Sequence, residues 1–436
     1  MKKILFSFSL LLISVITLMS CADGDRIDQK GGMGIPLEPT IVNVKSVPGG
    51  AVIKIAIPDD PNLKGVVATY ERNGVTCESR ISRYLDTLVV EGYADESEHE
   101  VSIRSFNADD AKSEAQIVKI TPLEAPVKTA KFEAFESFGG IKIRITDNPT
   151  LAKLALVVQC DQNNADQDLA YSERKWKDVS TFFTESNSVV VSRRGLEAVP
   201  TVFAFHFRDD FGNVSETQLV KLTPKEEVAL NKKLCKHYPV ADDNFKNDTG
   251  GGGVAALFDG VYNGNGKFFL AAKGNPIPTW LTIDLGQEAS ISRIATKPRW
   301  AYMPFQSGNV REWEFWGSDV DPVEDYKNNP AKKDDADYQS RHGFSRGWFM
   351  IAKGEQYKPS GYAPDGTVDG FTSEDRDYYL NSTEYECDNT NPLTPRAFDK
   401  IRYLRIVVVN TFESWQFKQT SGGWFIGEIS PYGQIY

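Results

Sequence analysis

Residue types able to do chemistry are present in this chain, but few are spaced for it. The only histidines in 436 residues are His99, His206, His237 and His342, with no H-E-x-x-H and no cysteine and histidine placed in a recognisable motif. Asp109-Asp110 and Asp209-Asp210 look like paired carboxylates. Each pair sits in a turn-like polar stretch beside an asparagine, where such side chains bond their own backbone. A glycosidase needs two carboxylates facing each other across a deep cleft, and no pair can be singled out. His342, with Arg341 and Arg346, reads as a solvated loop residue. The cysteines beyond residue 21 (Cys77, Cys160, Cys235 and Cys387) are too widely spaced for a zinc site. Within one domain only Cys235 and Cys387 could pair, and unpaired thiols are an equal reading. The chemistry left open is binding.

The frame that must position any binding residues begins after an export segment. Lys2 and Lys3 precede an apolar run that ends at Leu18-Met19-Ser20-Cys21, the pattern of a secretory signal with a lipobox. The run is short for a membrane span and acidic sequence follows it. Residues 1–20 are therefore expected to be a lipoprotein signal peptide and Cys21 the lipidated N-terminus. Residues 21–36, with Gly31, Gly32 and Gly34, read as a flexible tether. Lys plus Arg number 49 against Asp plus Glu at 60, so no basic face for nucleic acid is implied.

An internal duplication follows. GGAVIKIAIPDDPNL (49–63) matches GGIKIRITDNPTL (139–151), with Ile53, Ile55 and Ile57 corresponding to Ile141, Ile143 and Ile145. VSIRSF to VKITP (101–122) matches FAFHF to VKLTP (203–224). The spacing between these anchors grows by 14 residues in the second copy, and the polar run 161–178 is the expected place for most of them. Each copy, 37–123 and 124–225, has the strand and turn pattern of a small β-sandwich. Trp176, in the inserted stretch, is the one large aromatic expected to be exposed there.

From Lys225 the character changes. KEEVALNKKL reads as a short helical linker by composition, and seven of the eight tryptophans lie beyond it. TWLTIDLGQEASISRIATKPR (279–299) alternates Leu281, Ile283 and Leu285 with polar residues, breaks at Gly286 and resumes at Ile291 and Ile294: strand, turn, strand. RYLRIVVVN and GGWFIGEISPYG supply its C-terminal partners. Trp280, Trp313, Trp348 and Trp424 lie on or beside these strands and read as core; Trp316 is undecided by alternation.

The sandwich copies resemble fibronectin type III modules. The order VAALFDG (254–260), TWLTIDLG (279–286), WEFWGS (313–318), RYLRI (402–406), then Ile426-Gly427-Glu428-Ile429 with Tyr432-Gly433, resembles a discoidin, or coagulation factor V/VIII type C, domain across 226–436. The whole chain resembles Bacteroidota surface lipoproteins that accompany SusC/SusD-type glycan uptake systems. Asp23 and Asp25 resemble the export signals that place such lipoproteins on the outer face of the outer membrane. The expected fold is all-β: two tandem fibronectin-III/Ig-like sandwiches, then a discoidin-like jelly roll.

The resemblance implies loops at one end of the jelly roll that bind a glycan. Flat aromatic faces stack on sugar rings while polar side chains bond the hydroxyls. The candidates are Arg299, Trp300 and Tyr302 after Pro298, and Trp415 and Phe417 in NTFESWQFKQ. The resemblance also implies a structural calcium near the Asp-Gly turn, held by Asp259, Asn263, Asn265 and Glu428, hard oxygen donors of the right kind. Insertions at 319–347 and 356–391 depart from the family. The expected function is a non-catalytic lipoprotein, membrane-attached only through its lipid, that captures polysaccharide for a SusC/SusD-type partner. The alternative is an adhesion or assembly subunit that binds protein partners at the outer membrane.

Overall fold

The computed structural model describes residues 34–163, 168–247, 250–262, 268–299, 303–363, 366, 368, 370–381, 383–387 and 399–436. The signal peptide, Cys21 and most of the tether lie outside the described residues. Among those described, no helix is long and apolar enough to cross a membrane.

Module 1 contains β1 (Thr40–Val47), β2 (Gly50–Ala56), β3 (Gly65–Arg72), β4 (Val75–Ser82), β5 (Thr87–Glu91), β6 (His99–Phe106) and β7 (Gln116–Ile120). They form two antiparallel sheets in the orders β1-β2-β5 and β4-β3-β6-β7. Alternate residues face inward, so Ile53, Ile55, Val66, Ala68, Val101 and Ile103 make a buried core. Module 2 repeats the arrangement with β8 (Lys131–Ser137), β9 (Gly140–Thr146), β10 (Leu154–Asp161), β11 (Trp176–Thr184), β12 (Val189–Arg194), β13 (Thr201–Asp209) and β14 (Gln218–Leu222). Its sheets run β8-β9-β12 and β11-β10-β13-β14. The paired glycines have a steric cause. A Cβ on Gly50 or Gly140 would lie 2.0 or 1.8 Å from the carbonyl oxygen of the neighbouring strand.

The expected insertion is where the polar run placed it. β3 and β4 are joined by Asn73-Gly74, both at positive φ, the tight hairpin turn that this dipeptide favours. β10 and β11 are joined by 162–175 instead. That excursion is pinned by a buried pair, Arg174 Nη1 donating to Asp161 Oδ2 at 2.7 Å. Between the modules, Asn213 Nδ2 donates to the Gly92 carbonyl at 3.0 Å and the Arg72 guanidinium covers Phe211 at 4.7 Å.

The linker is helical only in one 3-10 turn, Lys232–Leu234. Val228–Ala229 adds to the edge of the last strand of the C-terminal domain, pairing with Gly433 and Tyr432. Tertiary pairing outweighs helical composition here. Glu227 Oε1 then accepts from Arg194 of module 2 and from Ser292 of the C-terminal domain, tying the two together.

The C-terminal domain is built on β15 (Thr279–Lys297), β16 (Val310–Ser318), β17 (Phe349–Glu355), β18 (Ile401–Thr411) and β19 (Glu428–Ile435), with α1 (Pro322–Asn328), α2 (Ser373–Leu380) and α3 (Phe412–Phe417). The order is β19-β15-β18-β16-β17, a jelly roll. The expected strand, turn, strand is one bent strand. Gly286, at φ +68°, lies where the register with β18 shifts between Asp284 and Ala289; residues 279–284 pair with β18 and 289–297 with β19. Leu281, Ile283, Ile291, Trp313, Phe315, Ile406 and Trp424 fill the interior. Each such side chain contributes about 1.5–3 kcal/mol by burial.

Trp316 is buried as well, on the opposite face, with Phe344, Trp348 and Val407. The insertion 319–347 supplies Phe344 and roofs that face, which is why alternation could not decide Trp316. Under the roof Arg405 is fully buried. Its guanidinium donates to both oxygens of Asp242 at 2.9 Å and lies 4.4 and 4.5 Å from the rings of Phe344 and Trp348. Cys235 is a free thiol that burial pushes up to about 12, so it does not pair with Cys387.

Candidate functional site

α3 leaves the end of β18 because Thr411 caps it, its hydroxyl accepting from Ser414 N–H at 3.0 Å, and Lys418 closes it in the left-handed conformation. The helix carries Trp415, 36% exposed, and leads to Phe417, 63% exposed. One face of Trp415 is fixed. The Arg311 guanidinium lies 4.3 Å from its ring centroid and the Tyr362 ring 5.3 Å away. Arg311 is held in turn by the carboxylates of Glu312 and Glu355. The indole is thus braced by these neighbours and still partly exposed, as a stacking platform requires.

Arg299 is half-buried, its guanidinium 3.8 Å from the Phe268 ring and 5.5 Å from that of Phe425. Trp300 and Tyr302 lie outside the described residues. The Arg299 backbone and the start of α3 are linked through Tyr379 and Asn309. Tyr379 Oη donates to the Arg299 carbonyl at 3.1 Å and bonds Asn309 Oδ1 at 2.9 Å, while the Asn309 carbonyl accepts from Phe412 N–H at 3.0 Å.

Beside α3 lies a groove of about 320 Å³ lined by Lys273, Ser307, Glu413, Gln419, Ser421 and Phe425. It stays open because Gly308 and Gly423 form part of its wall; a Cβ on Gly308 would sit 2.6 Å from the Gly423 carbonyl. An ammonium, a carboxylate, an amide and two hydroxyls around one small space can donate to and accept from neighbouring hydroxyl groups. Glu413 and Gln419 stood within the aromatic stretch already marked in the sequence. Lys273 and Ser307 carried no local signal, because only the fold brings their loops together.

The expected calcium donors are arranged differently. Glu428 is buried, with Oε2 accepting from Gly260 N–H at 2.9 Å and Oε1 from Lys232 Nζ at 2.5 Å. Burial pushes its carboxyl up and Lys232 partly restores it. Asp259 Oδ1 accepts from Val261 N–H at 2.7 Å, within its own turn. Asn263 and Asn265 lie outside the described residues. A cation at Glu428 would have to displace the Lys232 ammonium, so the described donors do not fit calcium as they stand. Among the described residues, no three His, Cys, Asp or Glu side chains are grouped to hold a metal.

Groups with the look of catalytic sets fail on geometry. Ser97, Asp95 and His99 are in contact, yet Ser97 Oγ and Asp95 Oδ1 both approach the same ring nitrogen, Nε2, at 3.1 and 2.8 Å. A relay needs the two different nitrogens. The string G-x-S-x-G does occur, at 343–347, a match that the motif reading above did not include. Its Ser345 is 1% exposed in the roof insertion, with a buried Oγ that has no partner among the described residues, rather than on a strand-to-helix elbow. His342 is not solvated as expected. Its Nε2 bonds Glu314 Oε2 at 2.8 Å beside Trp280 and Phe344. The Asp209 carboxylate accepts from Phe211 and Asn213 N–H at 2.9 Å each, the expected turn chemistry.

Among solved structures, the chain is similar to a "SusE-like protein BT2857" (25% identity, 71% of this chain and 100% of that one, TM-score 0.41). It is also similar to CBM32-3 from a family 31 glycoside hydrolase of Clostridium perfringens (14%, 47% and 95%, TM-score 0.29). A third is the family 32 CBM of C. perfringens NanJ in complex with galactose (12%, 47% and 98%, TM-score 0.26). No curated protein matches the chain in sequence. Three family models match in succession, each described as a domain of unknown function: DUF4959 over residues 36–122, DUF5126 over 121–233 and DUF5000 over 258–433.

Proposed function

We propose that this chain is a non-catalytic glycan-binding protein of the cell surface. Its jelly roll takes a sugar in the groove beside α3, and the two sandwiches hold that groove away from a lipid anchor at Cys21. The observation that carries this is the pairing of a braced, half-exposed indole, Trp415, with a polar groove of about 320 Å³ on the same short helix. That volume is at the low end for ligand pockets and suits one or two sugar rings. Serving a SusC/SusD-type transporter at the outer membrane belongs to the same proposal and rests on the sequence resemblance alone.

The test is affinity electrophoresis and a glycan array with the chain from residue 22 onward. Retention by a polysaccharide should fall at least tenfold in Trp415→Ala and in Glu413→Ala, with melting unchanged. If no glycan is retained and the chain instead captures an outer-membrane protein, the docking alternative replaces this reading. The calcium proposal is tested separately. Melting of the unaltered chain should be insensitive to calcium, because Lys232 already occupies Glu428; a rise in Tm with calcium would restore the ion to Glu428.

A further inference from the structure

The outer face of the β11-β10-β13 sheet of module 2 carries an open groove. Facing away from the core along β10 are Ala155, Val157 and Gln159. The register sets Phe183, Thr181 and Asp178 of β11 beside them on one flank, and Arg208, His206 and Ala204 of β13 on the other. The central part is a shallow groove of about 440 Å³ lined by Val157, Gln159, Asp178, Thr181, His206 and Arg208. A second hollow of about 510 Å³ shares Arg208 and continues past Phe183, which is 74% exposed.

The other end is closed by the insertion. Tyr171 and Trp176 stack with centroids 5.0 Å apart, and Trp176 Nε1 donates to the Tyr171 carbonyl at 2.9 Å. Tyr171 Oη donates to Gln159 Oε1 at 3.2 Å, and Gln159 Nε2 to Asp178 Oδ1 at 2.9 Å. The aromatic stack is therefore locked to the polar side chains of the groove. Between these ends, the Nδ1 of His206 is shielded from solvent and has no hydrogen-bond partner among the described residues. A buried polar atom of this kind normally has one. Burial and then the Arg208 charge lower the imidazole's pKa, which favours the neutral ring.

We propose that this face is a second carbohydrate-binding surface, which takes an extended neutral oligosaccharide along β10 between Phe183 and the Tyr171–Trp176 stack. From the row of Phe183 to that of Trp176 is six residues along β10, about 20 Å at the rise of a strand, the reach of a short chain rather than a single ring. A polyanion is disfavoured because the lining carries the Asp178 carboxylate as well as Arg208. A peptide anchor would need a deep apolar pocket, and this groove is shallow and mostly polar in its lining. Aromatic end-plates and amide, carboxylate, hydroxyl and imidazole groups between them match a row of sugar hydroxyls. The surface is separate from the jelly-roll groove and does not depend on it.

The experiment is native electrophoresis of the full chain from residue 22 in gels cast with amylopectin, dextran, yeast α-mannan, xylan or pectic galactan. Trp415→Ala removes the jelly-roll platform and should leave residual retardation by at least one of these. Adding Phe183→Ala or His206→Ala should weaken that residue at least tenfold, and Thr181→Arg, which fills the groove with a long stem, should do the same. Phe183 is exposed enough that its removal should not move the melting curve, so lost binding would not reflect lost folding. Retardation abolished by Trp415→Ala and untouched by Phe183→Ala would overturn the module 2 surface and leave the jelly-roll site standing. Retardation by none of the five polysaccharides would overturn the module 2 surface as well.

Discussion

The two sandwiches share a strand order and a core, yet their outer faces have opposite fates. In module 1, Val67 points away from the core between Arg80 and Arg104, its direct cross-strand neighbours, and is 0% exposed. The arginine heads are tied down. Arg80 bonds Glu78 and Asp110 and covers the Phe106 ring, while Arg104 donates to the Ser113 carbonyl at 3.0 Å. In module 2 the corresponding row is Val157 between Thr181 and His206, and Val157 is only half-buried. Long cationic side chains lay their aliphatic stems over apolar surface. Replacing two of them by shorter groups opens a groove without touching the core. A duplicated module can thus keep its fold and turn a sealed face into a binding surface by changing outward residues and lengthening one hairpin.

The sealed condition reaches its extreme in the jelly roll, where the roof makes an arginine part of a core. Arg405→Ala should be the most destabilising change considered. It strands the Asp242 carboxylate and removes the planar filler between Phe344 and Trp348, at a cost of about 3–5 kcal/mol. Denaturant unfolding followed by tryptophan fluorescence measures it. A loss below about 1 kcal/mol would mean that the roof lifts and water reaches Asp242, so that this face belongs with the open ones.

A smaller loss is expected at the base of the excursion that makes module 2 different. Arg174→Ala leaves Asp161 without its ion pair, but a surface excursion can open to water, so about 1–3 kcal/mol is expected. Hydrogen exchange confined to 162–175 should quicken. The pH dependence has a fixed sign. Burial alone would raise the Asp161 carboxyl, but Arg174 and the N–H groups of Asn163 and Lys175 outweigh it and hold the group below the usual carboxylate range. A depressed folded value means that the contribution is complete above the unfolded value, about 3.9, and is lost as pH falls further. Protection of the excursion should therefore persist from pH 7 to 5 and fade below 4 in the parent chain, and be weak throughout in Arg174→Ala.

Much of this fold is written in local pattern. The Ile-x-Ile-x-Ile runs mark β2 and β9, the paired glycines mark the close strand approach before them, and the polar run after Asp161 marks the inserted hairpin. Features that depend on distant partners are not local. Arg405 alternates with Leu404 and Ile406 and so reads as an outward polar residue; only the roof, 60 to 85 residues upstream, makes that outward position an interior. His342 misleads for the same reason. KEEVALNKKL has helical composition but ends as an edge strand, because Tyr432 and Gly433 offer it a ladder. In the candidate site, Trp415 was legible as an aromatic among polar neighbours. Lys273 and Ser307 were not, since nothing in their own stretches announces the groove.

The smallest effect on stability and the sharpest on the comparison comes from exchanging the two faces. Thr181→Arg with His206→Arg gives module 2 the flanking pair of module 1. The stems should cover Val157, and Asp178 is in place to receive one head as Glu78 does for Arg80. Melting should move by no more than the equivalent of about 1 kcal/mol, because exposed ion pairs contribute little. Any polysaccharide retention that survives Trp415→Ala should disappear. The reverse exchange, Arg80→Thr with Arg104→His, uncovers Val67 and should also cost about 1 kcal/mol, from lost apolar cover. It should not create binding, since a two-residue Asn73-Gly74 turn stands where module 2 has its Tyr171–Trp176 stack. If the opened module 1 gained retention equal to module 2, the inserted hairpin would be dispensable and groove shape alone would define the surface. If the closed module 2 kept its retention, the arginine seal would not be what separates the two faces.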